Sequence, residues 1–219
     1  MSRGSLEKLP PTSYALLGLL ALRTWTAYEL TKQMHRSVRW FWPRAERKLY
    51  DEAKRLVELG LATSRSEMTG RRASTVYEIT PAGRDALRSW VGEPDFEPPV
   101  LEMEAMVHLF FGDNGSQEQM LESLRVVRQQ AIDALVELCD VAVDFVEERD
   151  QFPDRRATNA VTMELYVRIH ETIRDWAIWA EAETASWPPV RRHRRAVAAG
   201  PLERGRELFA GIAARRPRA

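Results

Sequence analysis

Between Trp42 and Thr80 the spacing of apolar residues switches from a helical period to strand-like runs, and no other stretch restricts the fold as strongly. Pro43 suits a first helical position, where its missing N–H has no partner to lose. At 100° per residue, Arg44, Arg47, Lys48, Asp51 and Arg55 fall on one face, and Leu49, Ala53, Leu56 and Val57 on the other. Gly60 stands where a helix ends in the left-handed region. Residues 61–69 and 75–79, rich in Thr, Val, Tyr and Ile, then read as two strands. Gly70, Arg71, Arg72, Ala73 and Ser74 read as the turn between them. A helix with one cationic face, followed by a hairpin with a basic tip, is the reading end of a winged helix-turn-helix. Two adjacent arginines at such a tip suit a phosphate backbone or a minor groove.

Charge is distributed in blocks. Residues 1–92 hold 16 Lys/Arg against 9 Asp/Glu, residues 93–187 hold 7 against 21, and residues 188–219 hold 9 against 2. A basic first segment is the footprint expected of a nucleic-acid binder, whereas the acidic middle is expected to keep away from DNA. We therefore expect three parts: a winged helix-turn-helix over 1–92, a helical dimerisation and effector domain over 93–187, and a basic tail, disordered in the main, over 188–219. No apolar run approaches the roughly 18–20 residues of a membrane span. The opening MSRGSLEKLPPTS lacks the apolar core of a secretion signal, so the expected location is the cytoplasm. The single cysteine, Cys139, excludes an internal disulfide and is expected to pack in a helix as a small hydrophobe.

Taken in order, Pro10 and Pro11 end a short arm. Thr12 or Ser13 is placed to cap a first helix running to about Arg23, apolar nearly all round and hence expected to be buried. Thr26 and Glu29 have capping-box spacing for a second helix to about Val38, with Tyr28, Leu30 and Met34 as its core contacts. Trp40, Phe41 and Trp42 form an aromatic hinge that reads as structural. Thr80 and Pro81 open a helix after the wing, and the run GEPDFEPP at 92–99 marks a boundary.

Beyond it everything reads as helix. One helix is expected over 100–111, and Ser116 with Gln119 repeats the capping-box spacing. Met120, Leu124, Val127, Ala131, Leu135, Leu138, Ala142 and Phe145 then recur at spacings of three and four. After a turn at Gln151–Pro153, Val161, Leu165, Ile169, Ile173, Trp176 and Ala180 form a second stripe, to about Trp187. Two helices of this length, about 45 Å each at 1.5 Å per residue, suit dimerisation arms. A short helix is expected near 201–215; the tail either adds phosphate affinity or lies over the acidic segment.

Catalytic signatures are absent: no P-loop, dinucleotide turn, Gly-x-Ser-x-Gly or His-Glu-x-x-His occurs, and no cofactor or metal is expected. His35, His108, His170 and His193 stand apart from any metal-ligand spacing. Trp176 and Trp179, three apart, share a helix flank. Two readings stand for them, dimer-core packing or a sandwich for a flat ligand.

The segments YALLGLLAL, TAYELTKQM, RKLYDEAKRLVELGLA and VYEITPAGRDAL together resemble the PadR family of bacterial transcriptional regulators over about residues 12–92. The long helical second half is similar in architecture to the larger PadR subfamily. The resemblance implies a homodimer on double-stranded DNA, acting as a repressor and released by a small aromatic or phenolic molecule. It makes Tyr50 the recognition-helix tyrosine and places Arg71 and Arg72 at the basic wing. Asp51 departs from the proline often found after that tyrosine; a carboxylate there repels phosphate or accepts from a cytosine amino group. The expected fold is therefore mainly α: three helices and a two-stranded wing, then an all-helical domain with two long helices. Arg44, Arg47, Lys48 and Tyr50 are the candidate major-groove residues, and Lys54, Arg55, Arg71 and Arg72 the candidate phosphate contacts. Two rivals are a winged helix that binds protein, and a regulator resembling the MarR family, which the short N-terminal extension disfavours.

Overall fold

The computed structural model describes residues 9–42, 49–69, 72–188 and 199–213. They form eight helices of more than one turn and three strands: α1 (Pro11–Leu22), β1 (Trp25–Thr26), α2 (Ala27–Ser37), α3 (Leu49–Glu58), β2 (Ala62–Thr69), β3 (Arg72–Ile79), α4 (Pro81–Gly92), α5 (Glu104–Phe110), α6 (Gln117–Val146), α7 (Arg156–Ala185) and α8 (Ala199–Ala213). The chain divides into two compact units, Met1–Pro99 and Val100–Ala219.

In the first unit, α1 is the central post. Leu16, Leu17, Leu19 and Leu20 are buried, and α1 packs on α2, α3, α4 and β3. The last four carbonyls of a helix have no partner inside it. Here two are met from elsewhere: Trp25 Nε1 donates to Leu19 O at 2.7 Å, and Arg84 Nη1 donates to Ala21 O at 3.3 Å. Trp25 is 2% exposed and is the largest fully buried side chain of those described. Its ring also carries the Arg23 guanidinium, 3.6 Å from the ring centroid. So the chief aromatic anchor is Trp25. The expected hinge rings are more open: Phe41 and Trp42 are exposed, and Trp42 Nε1 donates to Thr12 Oγ1 at 3.0 Å.

The start of α1 differs from expectation. Neither Thr12 nor Ser13 caps it; Pro10 holds the cap position and Pro11 opens the helix. Ser13, one turn in, is fully buried and its hydroxyl donates to Glu52 Oε1 on α3. The capping box of α2 is present as expected: Glu29 N–H donates to Thr26 Oγ1 and Thr26 N–H to Glu29 Oε2. The Thr26 N–H first, and then the Thr26 hydroxyl donating to the same Oε2, hold the Glu29 carboxyl below its ordinary pKa. Leu30 and Met34 are buried, but Tyr28 is 70% exposed. It lies two residues before Leu30 and therefore about 200° round the helix from it.

Gly60, at φ 70°, closes α3 in a Schellman motif: Leu61 N–H donates to Leu56 O and Gly60 N–H to Val57 O. The chain turns from there straight into β2. The sheet has three strands, in the order β1-β3-β2, all antiparallel. The expected two-stranded wing gains β1 because Trp25 and Thr26 pair with Tyr77 and Val76. The β2–β3 ladder also runs further than expected, to Thr69↔Arg72. Arg72, Ala73 and Ser74 thus belong to the strand, leaving a two-residue connection at 70–71, a common hairpin length. Thr80 caps α4 by accepting from Gly83 N–H at 3.1 Å. A Cβ on Gly83 would lie 2.1 Å from Leu61 O, so only glycine lets α4 approach the base of the wing this closely.

The second unit is a long helical hairpin. α6 and α7 pack together, antiparallel, with Gln117 Nε2 donating to Thr184 O at 2.6 Å and Arg128 meeting Glu181 at 2.8 Å. Ser116 and Gln119 form the expected capping box. Leu124, Val127, Ala131 and Leu138 are buried on α6; Ala177, Ala180 and Thr184 are buried on α7. At the other end of α7 the expected stripe lies open in a single copy: Val161 and Leu165 are 76% and 56% exposed. Cys139, expected to pack, is also exposed, one residue round from the inward Leu138. α5 is shorter than expected, and Val100 and Leu101 precede it as exposed chain outside any helix. Within the region read as a tail, α8 is a helix of 15 residues, and Arg204 on it lies 5.4 Å from the Trp179 ring centroid. No described helix is long and apolar enough to cross a membrane.

Candidate nucleic-acid interface

α3 is sharply two-faced. Leu49 and Ala53 are each 3% exposed and Leu56 is fully buried, all toward α1 and the sheet. Glu52 joins that buried arc through its bond to Ser13. The opposite arc presents Tyr50, Asp51 and Lys54 to solvent. Tyr50 is 53% exposed and lies near Tyr77. Burial first, and Tyr50 second, push the Tyr77 hydroxyl above its ordinary pKa. Arg55 sits at the border between the arcs, half-exposed, its Nη1 3.8 Å from Glu52 Oε1. Of the candidate residues, Tyr50 and Lys54 therefore share an open face, and Arg55 leans toward the buried carboxyl. Arg44, Arg47, Lys48 and Arg71 lie outside the described residues, as does the side chain of Arg72. What is placed for Arg72 is its backbone, on the last rung of the ladder.

The wing carries a group that sequence reading passed over. Arg65 Nε donates to Glu67 Oε1 at 2.6 Å and its Nη1 to Glu78 Oε2 at 3.1 Å. Thr63↔Glu78, Arg65↔Val76 and Glu67↔Ser74 are paired, so these three charged residues share one face of the hairpin. The signal was present as the i, i+2 spacing of Arg65 and Glu67, but the third member needed the register.

In the second unit, Trp176 is half-buried and Trp179 is 39% exposed, with Arg204 beside its ring. An open cleft of about 270 Å³ lies between α5 and the start of α6, lined by His108, Phe111 and Met120 among others. Neither tryptophan lines it. Among the described residues no group of three or more His, Cys, Asp or Glu is placed to hold a metal ion.

A helix with one buried and one open face, followed at once by a hairpin, defines the first unit as a winged helix-turn-helix, with an all-helical unit after it. Residues 16–89 match the Transcriptional regulator PadR-like family. The chain is 27% identical over 99 residues to the negative transcriptional regulator PadR of Bacillus subtilis (strain 168), covering 45% of this chain and 54% of that protein. The match thus spans about half the length of that curated relative. The fold is also similar to the crystal structure of Bacillus subtilis PadR in complex with operator DNA. There the TM-score is 0.68 at 19% identity, covering 80% of this chain and 99% of that one. The crystal structure of the same regulator with p-coumaric acid gives a TM-score of 0.63 at 18% identity, covering 82% and 99%.

Proposed function

We propose that this protein is a homodimeric, DNA-binding transcriptional regulator that acts in the cytoplasm as a repressor and is released by a small aromatic or phenolic ligand. The observation that carries the reading is the two-faced α3 inside a PadR-like segment: apolar residues hold it to α1 while Tyr50 and Lys54 face outward. In this reading Arg44, Arg47, Lys48 and Tyr50 enter the major groove, and Lys54, Arg55, Arg71 and Arg72 meet phosphates. Residues 1–92 bind DNA, 93–187 dimerise and receive the ligand, and 188–219 form a basic extension. The operator complex and the p-coumaric acid complex of the Bacillus relative support the two ligand classes by analogy. Exposed apolar residues along the helical hairpin, Val146, Val161 and Leu165 among them, support a second copy as the partner of this unit. Trp176 and Trp179 are the ring pair nominated for the ligand.

The test is fluorescence anisotropy on duplex DNA from upstream of the protein's own gene, titrated with salt, beside the Arg71→Ala/Arg72→Ala variant. Each neutralised phosphate contributes about −0.9 to the slope of log affinity against log salt. The double variant is expected to bind more weakly, with a slope shallower by about 1 to 2 units. Equal slopes and equal affinities would remove the wing from the interface and favour the protein-binding rival.

A further inference from the structure

Arg65 is the described wing cation whose guanidinium is engaged at both ends by carboxylates, Glu67 at 2.6 Å and Glu78 at 3.1 Å. All three side chains are about half-exposed, so this is not a buried structural ion pair. Exposed pairs of this kind add little to stability. Their effect on binding is a different matter. Glu67 lies one two-residue step from Thr69, the last β2 rung before the connection at 70–71. At about 3.4 Å per residue it stands roughly 7 Å from that rung, within the Debye length of about 10 Å at 0.1 M salt. One cation and two anions leave this patch of the hairpin net negative, beside a tip with adjacent arginines.

We propose that Glu67 and Glu78 compete with the DNA backbone for the Arg65 guanidinium, so that the clamp holds down the wing's affinity for phosphate. This deepens the DNA-binding reading above and rests on it. A free arginine at this point would add the same contact on any duplex, because phosphates carry no sequence information. Holding it on carboxylates therefore lowers binding to random DNA more than it lowers discrimination by base contacts. The clamp lowers affinity for every duplex by a common factor and leaves the ratio of specific to non-specific affinity to the base contacts.

The experiment measures affinity and salt slope for an own-promoter duplex and a scrambled duplex with five proteins: wild type, Glu67→Gln/Glu78→Gln, Arg65→Ala, the triple variant, and Arg71→Ala/Arg72→Ala. Glutamine keeps shape and removes charge. The double variant is expected to bind the scrambled duplex about three- to tenfold more tightly near 0.1 M salt, with a slope steeper by about one unit. Adding Arg65→Ala is expected to abolish that gain relative to Arg65→Ala alone. A gain that survives without Arg65 overturns the clamp, because the carboxylates would then act by repelling DNA directly. No gain in the double variant, with wild type bound normally, also overturns it while leaving the DNA-binding reading intact. A wild type that prefers no duplex, with Arg71→Ala/Arg72→Ala behaving like it, sinks both. Thermal melts of all five proteins separate a folding defect from a binding effect.

Discussion

Replacing Trp25 with alanine should destabilise the first unit by about 3–5 kcal/mol, the usual range for emptying a buried aromatic site. Three contributions converge on this ring. Its burial removes a large apolar surface from water, its N–H meets the orphan carbonyl of Leu19, and it carries Arg23 on its face. Because Trp25 also pairs with Tyr77 in the sheet, the cavity would open between α1 and the wing. Trp25→Phe keeps most of the surface and loses the donor, at a cost of about 1–3 kcal/mol. Urea unfolding followed by circular dichroism reads both, with two transitions allowed for because the chain has two units. A loss below about 1 kcal/mol for the alanine variant would show that α1 does not depend on this anchor.

The second large effect is expected at Ser13. Its hydroxyl is the donor to a buried Glu52 oxygen, and Glu52 lies on α3 two residues from Tyr50. Ser13→Ala leaves that oxygen without its donor, which costs about 1–3 kcal/mol. Replacing both partners with apolar residues, Ser13→Ala with Glu52→Leu, is expected to return most of the loss, because a missing pair costs less than half a pair. The bond also ties the reading helix to α1, so Ser13→Ala should weaken DNA binding along with stability. A double-mutant cycle in which the two substitutions simply add would show that Ser13 and Glu52 do not act as a pair.

These two sites mark where sequence reading stopped. What was legible was local. Gly60 announces a helix end, Thr26 and Glu29 announce a beginning, and the alternation of Leu49, Ala53 and Leu56 with charged residues announces two faces. Each is settled within about one helical turn, so spacing alone suffices. What escaped depends on partners far along the chain. Ser13 has a cap-like position, but its hydroxyl is drawn to Glu52, 39 residues on. Tyr28 has a core-like side chain, but the helix phase set by Leu30 and Met34 turns it outward. Trp25 looks like loop until β3 comes to pair with it. Arg65 pairs with Glu67 by proximity, whereas Glu78 joins only through the hairpin register. Val161 and Leu165 are regular members of a stripe, and a single copy of the helical hairpin leaves them exposed.

The central claim is that two copies of α3 and its wing read DNA together. Hydroxyl-radical footprinting of the full chain on DNA from upstream of its own gene tests it most directly. We predict two protected half-sites related by two-fold symmetry, centred about one helical turn or a multiple of it apart. Uniform cleavage at protein concentrations that saturate the second unit's self-association would contradict the account, and would place the partner of the α3 face among proteins instead.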